Sequence, residues 1–159
     1  MTKAITTRRT VLFGGPILAT AALLSHRGRA AGTSIHVLKD PNCGCCSAWI
    51  EILEQEGFDV TAEAATGAAL SRYKTDNGIP RDIISCHTAR IEGYMIEGHV
   101  PVADIRRLLE ERPDAIGLAV PGMPYGSPGM GPESQRDAYD VHLILGDGST
   151  EVFTRYDAA

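Results

Sequence analysis

Three of the four cysteines in this chain lie within four positions, in the run Pro41-Asn42-Cys43-Gly44-Cys45-Cys46. The pattern predicts an apolar strand before this run, over residues 35–39, and an amphipathic helix after it from about Ser47. The positive end of a helix dipole lowers the pKa of a nearby thiol towards the thiolate form. Thiolates attack disulfides and bind soft metal ions. The run therefore indicates either a redox centre or a soft-metal site.

Cys43 and Cys46 form a C-x-x-C pair, a spacing that by itself favours thiol–disulfide exchange. Cys45 argues against that function, because a third thiol beside the pair would compete for the mixed disulfide. The same thiol favours a soft cation, since closely spaced thiolates can share its charge. We therefore expect bound Cu(I), with silver or zinc as alternative ions. A thiol–disulfide oxidoreductase that uses Cys43 and Cys46 and a structural zinc domain stay as the other hypotheses.

The remaining candidate ligands lie later in the chain. Cys86 is 40 residues beyond Cys46, in the run Ser85-Cys86-His87-Thr88, and its neighbour His87 is a further candidate. The lower-ranked candidates are His87, His99, Met123 and Met130. A structural function for His99, and ordinary loop packing for the two methionines, are equally compatible with the sequence. We interpret Met95, His36 and His142 as structural residues of strands.

The elements that must position these residues follow from hydrophobic periodicity. A helix is predicted over about residues 47–56, with Trp49 on its apolar face as a core anchor. A strand over residues 59–63 and a helix over residues 66–76 follow, and this order predicts a parallel β-α-β unit. A hairpin that turns near Gly93 and a helix that begins at Pro101 come next.

The segment 117–132 differs from the rest of the chain because it holds five glycines and four prolines in sixteen residues. This composition predicts a long loop with neither a helix nor a central strand. Strands over residues 139–145 and 150–156 are predicted after it, joined by the turn at Asp147-Gly148. This C-terminal hairpin is expected to extend the sheet or to cover one of its edges.

The first 30 residues are typical of an export signal. They contain the twin-arginine run Thr7-Arg8-Arg9-Thr10, then an apolar stretch that is too short and interrupted for a membrane-spanning helix. An N-terminal membrane anchor is the alternative. We expect a signal peptide over residues 1–30, a single domain over residues 31–159, and a periplasmic protein with no membrane contact after cleavage. Removing the five positive charges of the signal from a net charge of −5 leaves −10, which excludes nucleic-acid binding.

The predicted order of elements resembles the thioredoxin-like fold, particularly its glutaredoxin and arsenate-reductase branch. The resemblance implies an α/β domain with a mixed sheet flanked by helices, to which the Gly/Pro/Met-rich loop and the C-terminal hairpin are added. In that fold the segment that enters the hairpin lies opposite the cysteine loop and usually carries a cis proline. Here Ser85-Cys86-His87-Thr88 stands at that place. The resemblance therefore implies that Cys86 lies close to the other three cysteines.

Four sequence blocks together are similar to one family, the exported metal-binding proteins related to the bacterial copper-resistance protein CopG. The blocks are Pro41 to Cys46 with Trp49, Ser85 to Thr88, Gly98 to Pro101, and Gly117 to Met130. This resemblance covers residues 35–156 and implies a thioredoxin-like domain that binds Cu(I) in periplasmic metal resistance, with redox handling of copper and periplasmic copper-handling proteins as partners. Cys43, Cys45, Cys46 and Cys86 match the cysteine positions of the family. The segment Glu51-Ile52-Leu53 stands where many relatives have a histidine.

Overall fold

The computed structural model describes Met1 and residues 32–159. Apart from Met1, the predicted signal peptide therefore lies outside the described residues. The described residues from 32 onwards belong to one compact unit. The strands are β1 Ser34–Lys39, β2 Asp59–Ala64, β3 His87–Ile91, β4 Tyr94–Glu97, β5 Gly117–Ala119, β6 Tyr139–Ile144 and β7 Thr150–Tyr156, and the helices are α1 Gly44–Gln55, α2 Gly67–Asp76 and α3 Val102–Glu111. Within the described ranges, no helix is long and apolar enough to cross a membrane.

The seven strands form one mixed sheet in the order β2-β1-β3-β4-β5-β6-β7. The pairs β1–β2 and β4–β5 are parallel, and the other neighbouring pairs are antiparallel. The prediction of an α/β protein with a mixed sheet is confirmed, and the β1-α1-β2 unit is parallel as expected. The arrangement is compatible with the thioredoxin-like layout that the sequence implies.

The apolar face of α1 packs on the sheet through Trp49 and Leu53, which are both fully buried. The indole Nε1 of Trp49 donates a hydrogen bond to the carbonyl oxygen of Val100 at 2.9 Å. A buried indole N–H needs such a partner, because leaving it unpaired is costly. Trp49 is therefore a core anchor, as predicted, and it ties α1 to the segment that precedes α3.

The prediction that residues 117–132 contain no central strand is wrong. Gly117–Ala119 forms β5, which pairs in parallel with β4 and lies between β4 and β6 in the sheet. The prediction used the glycine and proline content of all sixteen residues, but β5 lies before the first proline of the segment, Pro121. Two of its three residues, Leu118 and Ala119, are fully buried. Gly117 itself is needed because a Cβ atom there would lie 1.8 Å from the carbonyl oxygen of Met95.

The C-terminal hairpin extends the sheet, since β6 pairs with β5 and β7 is the outermost strand. A buried carboxylate links this hairpin to α3. Asp104, which is 3% exposed, accepts hydrogen bonds from the hydroxyl of Thr154 and from the phenol of Tyr156, the latter at 2.7 Å. Strand β7 is therefore fixed to a helix as well as to its neighbouring strand.

Candidate metal centre

The cysteine run forms the N-terminus of α1. The helix begins at Gly44, three residues before the predicted Ser47, so Cys45 and Cys46 lie in its first turn. Cys43 is the N-cap residue, and its Sγ accepts a hydrogen bond from the backbone N–H of Cys46 at 3.3 Å. The apolar periodicity that predicted the helix does not detect a first turn built from glycine and cysteine, because that turn has no apolar face.

Cys43 and Cys46 are joined by a disulfide, with an S–S distance of 1.98 Å, and Cys45 and Cys86 are free thiols. The sulfur of Cys45 lies 3.4 Å from that of Cys43 and 4.0 Å from that of Cys86. The sulfur of Cys86 lies 3.4 Å from that of Cys46. All four sulfurs lie within 4.8 Å of one another. The structure thus brings Cys86 to the other three cysteines, and each sulfur of the disulfide has a free thiol beside it.

Two buried imidazoles flank the same thiol. The Sγ of Cys86 lies 3.4 Å from Nδ1 of His87 and 3.2 Å from Nε2 of His99. Nδ1 of His99 is 2.8 Å from the carbonyl oxygen of Pro128, so it carries the proton and donates this bond. Nε2 of His99 is then an acceptor that faces the sulfur. A histidine held in this way by a backbone carbonyl is typical of metal-ligating imidazoles.

Burial determines the protonation of these groups. It raises the pKa of the Cys86 thiol to about 11, and the nearby Cys45 adds to this effect. It lowers the pKa of His87 to about 3, with smaller contributions from the charges of His99 and Lys74. The pKa of His99 is also lowered by burial, and its bond to Pro128 opposes this shift. At neutral pH the site therefore presents a protonated thiol between two neutral imidazoles, which suits N and S coordination of a cation that displaces the thiol proton.

The Gly/Pro-rich loop covers the site from one side. Gly129 packs directly on the first turn of α1, since a Cβ atom there would lie 2.8 Å from the backbone N of Trp49 and 2.9 Å from the carbonyl oxygen of Cys45. Met123 is 55% exposed in this loop, and Met130 is half-buried. The contact that the structure shows between this loop and the imidazoles is made by Pro128, so ligation by either thioether remains a prediction.

The three residues interpreted as structural lie in strands. Met95 is 3% exposed in β4 and contributes to the core. His36 is on β1, where its Nε2 lies 3.3 Å from the carboxylate of Glu63. His142 is half-buried on β6.

The sequence analysis missed two charged residues behind the site, Lys74 and Glu97. They form a buried ion pair, with Lys74 Nζ 2.6 Å from Glu97 Oε1. The burial of Lys74 could have been predicted from its spacing. It lies four residues after the buried Leu70 and therefore on the same inner face of α2. A lysine at such a position needs a buried partner.

Two comparisons find relatives of this chain, and no curated protein matches it. Residues 83–130 match a family described as a protein of unknown function, DUF411. A solved structure named copper resistance protein CopG, form 1, is 45% identical, with a TM-score of 0.74 over 80% of this chain and 99% of that chain. Form 2 of the same protein is 46% identical, with a TM-score of 0.72 over 79% of this chain and 98% of that chain. At this identity and coverage, together with the four-cysteine arrangement, the chain belongs to the family of the copper resistance protein CopG.

Proposed function

We propose that this protein binds Cu(I) in the periplasm, for copper resistance, through the thiolates of Cys43, Cys45, Cys46 and Cys86. The observation that carries the proposal is the convergence of four sulfurs within 4.8 Å. Thiolates are soft ligands that Cu(I) prefers over harder donors. His87 and His99 add two imidazole nitrogens that are neutral at physiological pH. The solved relatives are named as copper resistance proteins, which supports the choice of copper over silver or zinc.

The disulfide gives the site a redox function in this proposal. A dithiol reductant that transfers two electrons and two protons to the Cys43–Cys46 bond, and is itself oxidised to a disulfide, makes all four thiols available to the ions. In the reverse direction, oxidation of the two thiols to the disulfide releases two protons and two electrons, which convert two Cu(II) ions to two Cu(I) ions. Cys45 and Cys86 then remain as thiol ligands beside the imidazoles. The site therefore combines storage of copper with a change in its oxidation state.

Metal analysis of the reduced protein tests the proposal. Protein purified without oxygen should contain copper by mass spectrometry, and the Cys86→Ser variant should bind Cu(I) at least about tenfold more weakly in a competition titration, because a soft ligand at the centre of the cluster is lost. His99→Gln should weaken binding in the same direction. His36→Gln is the matched control, since it removes an imidazole that lies on the surface of β1. Zinc as the bound metal, or unchanged Cu(I) affinity in Cys86→Ser, would contradict the proposal.

One observation favours thiol–disulfide exchange as a second candidate function. Cys43 occupies the N-cap of α1 and its sulfur accepts the N–H of Cys46, a position that stabilises a thiolate. Reduction of a disulfide substrate, measured on metal-free protein with and without Cys45→Ser, separates the two functions. Full activity without metal, in a protein that retains no copper on purification, would favour the oxidoreductase.

Residues 1–30 are proposed as a cleaved twin-arginine signal, and residues 31–159 as the exported domain. The support for this is the Arg8-Arg9 pair followed by an apolar stretch. Export by this route would carry the folded protein, so copper could be loaded before or after export. Periplasmic copper-handling proteins are the proposed partners that deliver or accept the ions.

A further inference from the structure

The ion pair between Lys74 and Glu97 lies directly behind the segment that carries Cys86. Lys74 extends from α2 and Glu97 is the last residue of β4, and their side chains are 3% and 0% exposed. Removing two charges from water costs several kcal/mol for each ion, of the order that their attraction recovers, so such a pair contributes little net stability. The function of the pair is therefore better sought in the backbone groups that the two side chains bind.

The other hydrogen bonds of the pair all go to the residues on either side of Cys86. Lys74 Nζ donates to the carbonyl oxygen of Ser85 at 2.6 Å and approaches that of His87 at 3.5 Å. Glu97 Oε1 accepts the backbone N–H of Ser85 at 2.5 Å. The pair thus holds both backbone polar groups of Ser85, the residue before Cys86, and contacts the carbonyl oxygen of His87, the residue after it. Charge-assisted bonds of this kind are about twice as strong as neutral ones.

This attachment matters because residues 84–86 belong to no helix or strand, and Ile84 is 41% exposed. Beyond the pair, the segment is held by Gly122 in the neighbouring loop, whose carbonyl oxygen accepts from the Ser85 hydroxyl and whose N–H donates to the carbonyl oxygen of Ile84 at 3.4 Å. Gly98 N–H donates to the carbonyl oxygen of His87 at 3.1 Å, at the start of β3. The thiol of Cys86 nevertheless lies 3.4 Å from the sulfur of Cys46 and 3.2 Å from Nε2 of His99. Contacts from one sulfur to three residues distant in the chain, with Cys45 the third at 4.0 Å, require a backbone that is held to a fraction of an ångström.

We propose that Lys74 and Glu97 are positioning residues: their buried pair fixes the backbone of Cys86 so that its sulfur stays within bonding reach of the other cysteines. The consequence for copper rests on the proposed function, whereas the positioning itself does not depend on any metal. The effect of the pair on the Cys86 backbone is geometric, and the charge of Lys74 separately contributes to the low pKa of His87. Replacing both residues with apolar side chains of similar volume should leave the fold intact and loosen Cys86 alone.

The position of the Cys86 sulfur can be tested without metal. The quantity to measure is the effective concentration of the Cys86 thiol towards Cys46. In the Cys43→Ser/Cys45→Ser background, the equilibrium between the Cys46–Cys86 disulfide and a glutathione redox buffer reports that concentration. The added pair Lys74→Met/Glu97→Leu should lower it by about tenfold or more, because small misplacements of reacting groups are costly. The same variant should still unfold cooperatively in urea, at a lower midpoint, because the backbone N–H and carbonyl oxygen of Ser85 lose their partners. Glu97→Gln retains an oxygen for Ser85 and for Lys74, and should keep the effective concentration within about twofold.

The matched control is Asp140→Asn/Arg155→Gln, which removes an exposed ion pair of 2.9 Å between β6 and β7 and should leave the effective concentration unchanged.

If Lys74→Met/Glu97→Leu does not fold, Lys74→Met/Glu97→Gln takes its place. This variant keeps the bond to the Ser85 N–H, loses both lysine bonds to backbone carbonyls and should give an intermediate decrease in effective concentration. A folded double variant with the unaltered effective concentration would overturn the proposal, and so would failure of both double variants to fold, since the pair would then serve stability. Copper retention is measured separately on the chain with all four cysteines, with and without Lys74→Met/Glu97→Leu. Absence of copper binding when Lys74 and Glu97 are intact would refute the proposed function and leave the disulfide equilibrium as the test of the pair.

Discussion

Cys86 is the residue at which the sulfur donors and the nitrogen donors of this site meet. Sulfurs of Cys45 and Cys46 lie on one side of it, and ring nitrogens of His87 and His99 lie on the other. The Cys86 thiol and the two imidazoles are neutral when no metal is bound, because burial raises the pKa of the thiol and lowers the pKa of each imidazole. A cation that enters must displace the thiol proton, so metal affinity should increase with pH.

The buried imidazole of His87 predicts how stability depends on pH. Its pKa is about 3 in the folded protein and about 6.5 when exposed. Between these two pH values the imidazole is therefore protonated in the unfolded chain and neutral in the folded chain. The free energy of unfolding of the metal-free protein should therefore fall as the pH decreases from 6.5 towards 3, by up to about 1.4 kcal/mol per pH unit from this group. Urea denaturation at pH 7 and pH 5 measures the change. His87→Gln should show a smaller dependence, and an identical dependence would contradict the assignment.

At the scale of elements, the site is assembled from the first turn of α1, the entry to β3, the segment between β4 and α3 that carries His99, and the loop that follows β5. Only the first of these is continuous with the cysteine run. The loop reaches the site at one tight contact, where Gly129 has a φ of +83° and approaches the backbone of Cys45. This contact determines whether Pro128 can hold His99 in place.

Gly129→Ala should therefore loosen the loop. The new methyl group would meet two backbone atoms at less than 3.0 Å, in addition to the cost of about 1–2 kcal/mol for a left-handed alanine. Gly122→Ala is the matched control, because Gly122 has a φ of +66° and open space where its Cβ would lie. We expect Gly129→Ala to lower the free energy of unfolding by about 1–3 kcal/mol more than the control, and to speed proteolysis within the loop. Equal effects of the two variants would show that the loop does not pack as described.

At the scale of the whole molecule, the C-terminal hairpin completes the sheet and is secured by α3. Asp104 receives hydrogen bonds from two residues of β7, Thr154 and Tyr156. Asp104→Ala should leave both hydroxyls without their acceptor, and should lower the free energy of unfolding by about 1–3 kcal/mol. Glu110→Ala, an exposed change on the same helix, should have an effect within about 0.5 kcal/mol. An unchanged urea midpoint for Asp104→Ala would mean that the hairpin is held by strand pairing alone.

The proposed export signal predicts the location of the whole chain. Replacement of Arg8 and Arg9 by lysine should stop export, because the twin-arginine route reads that pair. Cell fractionation should then find the uncleaved chain in the cytoplasm, whereas the unaltered chain appears in the periplasm without residues 1–30. Substitution of Lys3 alone is the control and should not stop export. Normal periplasmic recovery of the double lysine variant would exclude the twin-arginine route.

The sequence by itself was sufficient to predict the order of the helices and of every strand except β5, because apolar periodicity is a local property of the chain. It also singled out the four cysteines and His87 and His99, since clustered thiols and imidazoles have few structural functions outside a metal or redox site. The boundaries were less accurate. The first turn of α1 and the three-residue strand β5 carry no periodic apolar signal of their own. The turn continues the helix that follows it, and β5 is held by pairing with β4 and β6.

The tertiary structure alone decided which groups meet. Cys86 is separated from Cys46 by 40 residues, and its 3.4 Å contact exists only because β3 pairs with β1 beside the start of α1. The pairing of Lys74 with Glu97 was likewise decided by the tertiary structure: the position of Lys74 on the inner face of α2 indicates a buried partner without identifying it. Long-range packing brings such groups together, and no local pattern of residue types records it.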